Sequence, residues 1–132
     1  MHEMKAVKTM NMSCMPKWLG KIIHWKFQGE MTAQQLIDSF ASLYGDERFD
    51  DTRGQVRNLR NVKGTFTVED VRKIAAYDRA AAKTNPNMKV AVVTRAHENH
   101  TAYAALYDAE LYDTEWEVSL FTCEEDALSW VA

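Results

Sequence analysis

The sequence predicts an α/β fold, a four- or five-stranded, mostly parallel sheet with four helices packed on it. Three observations carry that expectation. A stretch with apolar residues at period two, or a short apolar run, is followed by one with helical spacing, four times along the chain. Three of the helical stretches open on capping pairs, Thr32 with Gln35, Thr67 with Asp70 and Thr122 with Glu125. Met88 to Thr94 (MKVAVVT) is apolar on both faces, as in a central parallel strand sheltered above and below. Consecutive β–α units imply parallel strands joined by right-handed crossovers.

Each element has its own signal. In Lys21 to Gly29, Ile23, Trp25 and Phe27 share one face, and His24, Lys26 and Gln28 share the other. A strand with one wet face belongs near a sheet edge, and Gly29 is expected to break it. Leu36, Ile37, Phe40, Leu43 and Tyr44 then form a helical stripe, with Gly45 placed to end the helix in a left-handed conformation. The polar loop GDERFDDTRG leads to a second strand, roughly Gln55 to Val62, ended by Gly64. Its Arg57, Asn58, Arg60 and Asn61 are costly inside a sheet unless hydrogen-bonded. Val68, Val71, Ile74, Ala75 and Ala82 give the next helix its buried face, which Asp78 interrupts; that carboxylate needs a partner or a place at the rim.

Asn85-Pro86-Asn87 is a turn before the valine-rich strand. From about Glu98 to Leu111 a helix presents Ala102, Leu106 and Ala109, flanked by Tyr103 and Tyr107. Trp116, Val118 and Leu120 alternate with Glu117 and Ser119 in a last strand. Ala127, Leu128 and Val131 close the chain as a short helix, with Trp130 beside them.

Composition bounds the reading. One domain, 1–132, accounts for the length; 46% hydrophobic and 27% charged residues exclude disorder and a coiled-coil rod. No apolar run approaches the ~20 residues of a membrane span. Two cysteines, Cys14 and Cys123, are too few for a disulfide scaffold, so a reducing cytoplasm is expected. Residues 1–17 form a Met-rich leader, possible material for an added strand or arm, without the unbroken apolar core of a signal peptide. A net charge of −3 argues against nucleic acid, and the basic string Arg53, Arg57, Arg60, Lys63 falls on mixed faces of a strand. Residues 1–95 hold all 16 Lys and Arg, whereas 96–132 hold nine acids and no Lys or Arg. Folding the acidic third against the rest would let the two fields partly cancel.

FQGEMT (Phe27 to Thr32), NLRNVKGTFTVED (Asn58 to Asp70), KVAVV (Lys89 to Val93) and SLFTCEEDALSWV (Ser119 to Val131) resemble the SpoIIAA-like branch of the STAS superfamily. The likeness covers roughly Gly20 to Val131. It implies a small cytoplasmic protein with a β–α superhelix and no established catalytic residue. In related anti-sigma-factor antagonists the loop after the middle strand carries an Asp-Ser pair whose serine is phosphorylated. Asn61 to Thr67 here lacks that pair, which leaves phosphorylation of Thr65 or Thr67 without its usual motif. Related folds hold lipids between sheet and helices, so the resemblance also admits an apolar ligand.

In open parallel sheets, ligands sit where carboxyl ends of strands feed helix amino termini. Here that edge gathers Arg60, Lys63, Thr65, Thr67, Arg95, His97 and His100, a candidate site for a small anion. The plain structural alternative is that these residues cap helices and pair with nearby acids. No motif calls for a cofactor or metal; the His97/His100 spacing matches no strong zinc signature. GxSxG, Walker A and GxGxxG motifs are absent. The sequence therefore favours a regulatory or binding protein, acting through a surface for another protein or through a small anionic or apolar ligand, over a small enzyme using His97, His100 or Cys123. The Trp25–Phe27 stripe, on an outer strand, is expected to be covered by the leader or a second copy of the chain, which points to a homodimer.

Overall fold

The computed structural model of the protein describes residues 16–64, 66–95 and 98–132, with 98–101 and 103 described by backbone alone. The elements are β1 (Lys17–Leu19), β2 (Ile22–Glu30), α1 (Ala33–Tyr44), a 3-10 turn (Glu47–Asp51), β3 (Gly54–Lys63), α2 (Val68–Thr84), β4 (Lys89–Val93), α3 (Glu98–Glu110), β5 (Glu117–Phe121) and α4 (Glu124–Val131). The five strands form one sheet in chain order. β1 is antiparallel to β2, and every other neighbouring pair is parallel. The predicted α/β class, mostly parallel sheet and four helices are therefore observed.

Parallel strands laid down in chain order, with crossovers of one hand, place the connecting helices on one face. Accordingly α1, α2 and α3 bury their apolar residues in one cluster with Ile23, Trp25, Phe27, Val90 and Val92. The opposite face is covered by α4, whose Ala127 and Val131 pack on Val56, Ala91 and Val93. The valine-rich strand is sheltered on both sides, with Val90 to Thr94 all buried. It is the fourth of five strands, and β3 holds the middle.

The apolar stripe of β2 is covered from within the chain. Trp25 stacks on Phe27 at 5.7 Å, and the Phe40 ring of α1 meets both edge-on at 5.5 and 5.7 Å. That stripe gives no reason to expect a second subunit. The leader, residues 1–15, lies outside the described residues.

Several local expectations shift. Both strong capping boxes form, at Thr32/Gln35 and Thr67/Asp70. Gly45 ends α1 with φ −90°, a right-handed conformation, its N–H bonded to Ala41 O. β2 runs through Gly29, whose φ of +83° follows a register shift between Lys26 and Gln28. Val68, at the first position of α2, is 45% exposed. α3 buries Ala104 and Tyr107, and Leu111 just beyond its end is buried too, whereas Ala102 and Ala109 face outward. Polar and apolar residues are poorly segregated around this helix, so spacing alone does not choose its face. The third capping box does not form; Cys123 is the N-cap of α4 and makes no side-chain cap bond.

The basic and acidic parts of the chain meet. Arg79 reaches Asp113 at 2.6 Å and Arg72 lies 3.5 Å from Glu110, pairs that tie α2 to the α3 side of the layer. Both are exposed enough that each contributes little. No helix among the described residues is long and apolar enough to cross a membrane.

α4 lies close on the sheet because Gly54 has no side chain: a Cβ there would meet the Val131 Cβ at 3.1 Å and the Ile22 Cγ1 at 3.4 Å. Gly54→Val is expected to push α4 off β3 and cost about 1–3 kcal/mol in urea unfolding. Wild-type stability in that variant would show that the approach is not tight.

Candidate functional site

The two residues that disturb the sequence pattern explain each other. Arg57 projects from the middle strand into the helix layer and Asp78 projects from α2 to meet it; they are 3% and 0% exposed. Arg57 Nη1 donates to Asp78 Oδ2 at 2.8 Å and Nη2 to Asp78 Oδ1 at 3.3 Å. Nη1 also donates to the Tyr107 hydroxyl at 2.9 Å, and Nη2 to the Tyr44 hydroxyl at 3.2 Å. Nε donates to Gln55 Oε1 at 3.1 Å, where Trp25 Nε1 donates as well. The tyrosine hydroxyls in turn donate hydrogen bonds to Asp78, Tyr107 to Oδ2 at 2.6 Å and Tyr44 to Oδ1.

All five guanidinium N–H groups are thus used, and the carboxylate accepts four hydrogen bonds, its full capacity. The face of the guanidinium lies 3.7 Å from the centre of the Phe40 ring. Burial opposes the charge on Arg57, but the Asp78 carboxylate together with Tyr107 and Tyr44 outweighs it and pushes the guanidinium pKa up. Burial, with the Asp78 charge beside it, raises the Tyr44 pKa well above the usual tyrosine value. Burial likewise raises Tyr107, against the lowering pull of Arg57. Gln55 Nε2 is the buried side-chain nitrogen without a partner among the described residues.

Beside this network lies a cavity of about 80 Å³ between the sheet and α1, α2 and α3. Its sheet wall is Leu59, Val62, Val92 and Thr94, at the carboxyl ends of β3 and β4. Its helix wall includes Leu36, Phe40, Val71, Ile74 and Ala104, and Arg57 and Tyr107 close one end. The lining is almost wholly apolar. It is about half the size of a roughly 150 Å³ apolar cavity that takes benzene and is open on one side, so it encloses a short alkyl chain or one edge of a small ring.

The charged residues expected to bind an anion stand elsewhere. Arg60 donates through Nη1 to Thr122 O at 2.6 Å, tying β3 to the loop before α4. Lys63 is exposed at the end of β3, Thr67 caps α2 through its hydroxyl, and Arg95 is exposed after β4. His100 lies in the first turn of α3, its side chain undescribed, while Thr65 and His97 fall outside the described residues. Cys123 is half-buried at the start of α4, the helix on the other face of the sheet. None of the four with described side chains among the seven, nor Cys123, lines the cavity.

A second polar contact anchors α4. Glu124 Oε2 lies 2.6 Å from His24 Nε2 and accepts from Asn58 Nδ2 at 2.7 Å. Burial opposes its charge, and these two bonds more than offset that, holding the carboxyl below the usual glutamate range. Among the described residues no cluster of three His, Cys, Asp or Glu could hold a metal.

Tyrosine ionisation gives a direct test of the network. A pKa raised in the folded state contributes stability in full below the unfolded value, about 10, and loses it as pH rises toward the folded one. Stability should therefore fall above pH ~10 by about 1.4 kcal/mol per pH unit for each of Tyr44 and Tyr107. In an ultraviolet titration both should ionise only with unfolding, and Tyr44→Phe and Tyr107→Phe should each remove one such late equivalent. Ionisation of both near pH 10 in the folded protein would contradict the burial described.

Against known proteins, no family model, no curated protein and no solved structure matches this chain.

Proposed function

We propose that this is a non-enzymatic, STAS-like binding or regulatory protein whose cavity between sheet and helix layer takes a small apolar ligand. The observation that carries the reading is the cavity itself. It lies at the carboxyl ends of adjacent parallel strands, where open α/β sheets bind ligands. Its walls are apolar, and the one cation in them is fully engaged by Asp78 and its neighbours. An anion entering would find no free charged donor among the described residues of its walls, so an apolar body is favoured over a phosphate or carboxylate. The enzymatic alternative rests on His97, His100 and Cys123; of these the one described side chain, Cys123, belongs to the α4 side of the sheet.

Benzene is the simplest probe. Its titration should shift the methyl resonances of Leu59, Val71, Val92 and Ala104 saturably. Ala104→Leu, which fills the cavity from α3, should weaken binding at least tenfold with the thermal midpoint little changed. Unsaturable, scattered shifts, or full binding by the filled variant, would contradict the proposal. Inorganic phosphate should leave the melting temperature unmoved in both wild type and Arg60→Ala. Stabilisation of wild type alone by phosphate would install the anionic-ligand reading instead.

A further inference from the structure

We infer that the cavity selects a neutral ligand bearing one hydrogen-bonding oxygen, an alcohol or a carbonyl compound, which the Thr94 hydroxyl holds. The inference deepens the ligand reading above and rests on it. Thr94 follows the last residue of β4, and alternation along the strand turns it to the same side as Val92. Both residues line the cavity. Thr94 is only 5% exposed, and its backbone N–H is taken by Phe121 O at 2.9 Å. Its hydroxyl makes no hydrogen bond to a described residue and is not sealed off, since Gln55 Nε2 is the buried side-chain atom without a partner among those residues; it is open to the cavity that Thr94 lines. Arg57 has no N–H to spare, and the Tyr107 hydroxyl both accepts from Arg57 and donates to Asp78.

A hydroxyl that faces a largely apolar space and is not engaged by the protein is free to bond a ligand oxygen in place of water. A hydroxyl both donates and accepts, so it serves an alcohol and a carbonyl equally. A carboxylate is a poor fit, because its charge would be buried with no free cation among the described lining residues to meet it. The apolar walls set the rest of the molecule: a small ring or short chain, with its single oxygen toward the carboxyl end of β4.

Toluene and phenol, nearly equal in size, separate the hydroxyl from the cavity. Dissociation constants are measured by resonance-shift titration for wild type, Thr94→Val and Thr94→Ser. Thr94→Val should weaken phenol about fivefold, the scale of one neutral hydrogen bond, and change toluene less than twofold. Thr94→Ser keeps the hydroxyl and should keep the phenol affinity within about twofold of wild type. Equal effects of Thr94→Val on the two ligands would overturn the role of Thr94 and leave the cavity reading standing. Saturable binding of neither ligand to wild type would overturn both. Tighter binding of benzoate than of phenol would overturn the preference for a neutral ligand.

Discussion

One guanidinium holds the helix layer to the sheet. Arg57 rises from the middle strand, and its partners come from all three helices of that layer: Tyr44 from α1, Asp78 from α2 and Tyr107 from α3. Taking two charges out of water is expensive, and such a pair is tolerable only when every remaining donor and acceptor is satisfied. That condition fixes positions. The Asp78 carboxylate is in register only if α2 sits over β3, and the two hydroxyls reach it only if α1 and α3 flank α2. Apolar packing supplies most of the cohesion of the layer. The polar cluster gives it one arrangement among many of similar burial, a role attested for buried polar groups in some proteins.

The cavity follows from the same constraint. Arg57, Tyr107 and Phe40 are placed by the network and by the ring stacked under the guanidinium, and they form its closed end. The other walls are the carboxyl ends of β3 and β4 and residues from the first two turns of α1, α2 and α3. A space there is bounded by side chains whose positions are set from several elements at once. The opposite face carries no counterpart to this arrangement. α4 lies flat on β3 and β4, close enough to need Gly54, and is pinned by Glu124 between His24 and Asn58.

The sequence was legible where structure is local. Capping boxes, the turn at Asn85 to Asn87, the alternation of Ile23, Trp25 and Phe27 and the doubly apolar Lys89–Val93 each depend on a few neighbouring residues, and each appears in place. The misfit of Arg57 and Asp78 was legible too, as a polar residue in a strand and one on a buried helix face. Their pairing was not, because 21 residues separate them and no spacing rule joins a strand to the next helix across that distance. The face of α3 was misread for a related reason: Tyr107 turns inward to find Asp78, a partner on another helix. Thr94 and the cavity walls read individually as core residues. A cavity is a gap between elements, and composition does not record gaps. The likeness to SpoIIAA-like proteins rests on the quoted sequence phrases and stands as a proposal.

The central claim is that Arg57 and Asp78 act as one unit, and a double-mutant cycle in urea measures it most directly. Arg57→Met and Asp78→Leu should each destabilise by about 3–5 kcal/mol, because each strands a buried charge. The double variant should be no less stable than either single one, giving a coupling of at least about 3 kcal/mol. Additive losses, with the double variant far weaker than both, would show that the two charges are stabilised independently and would contradict the account.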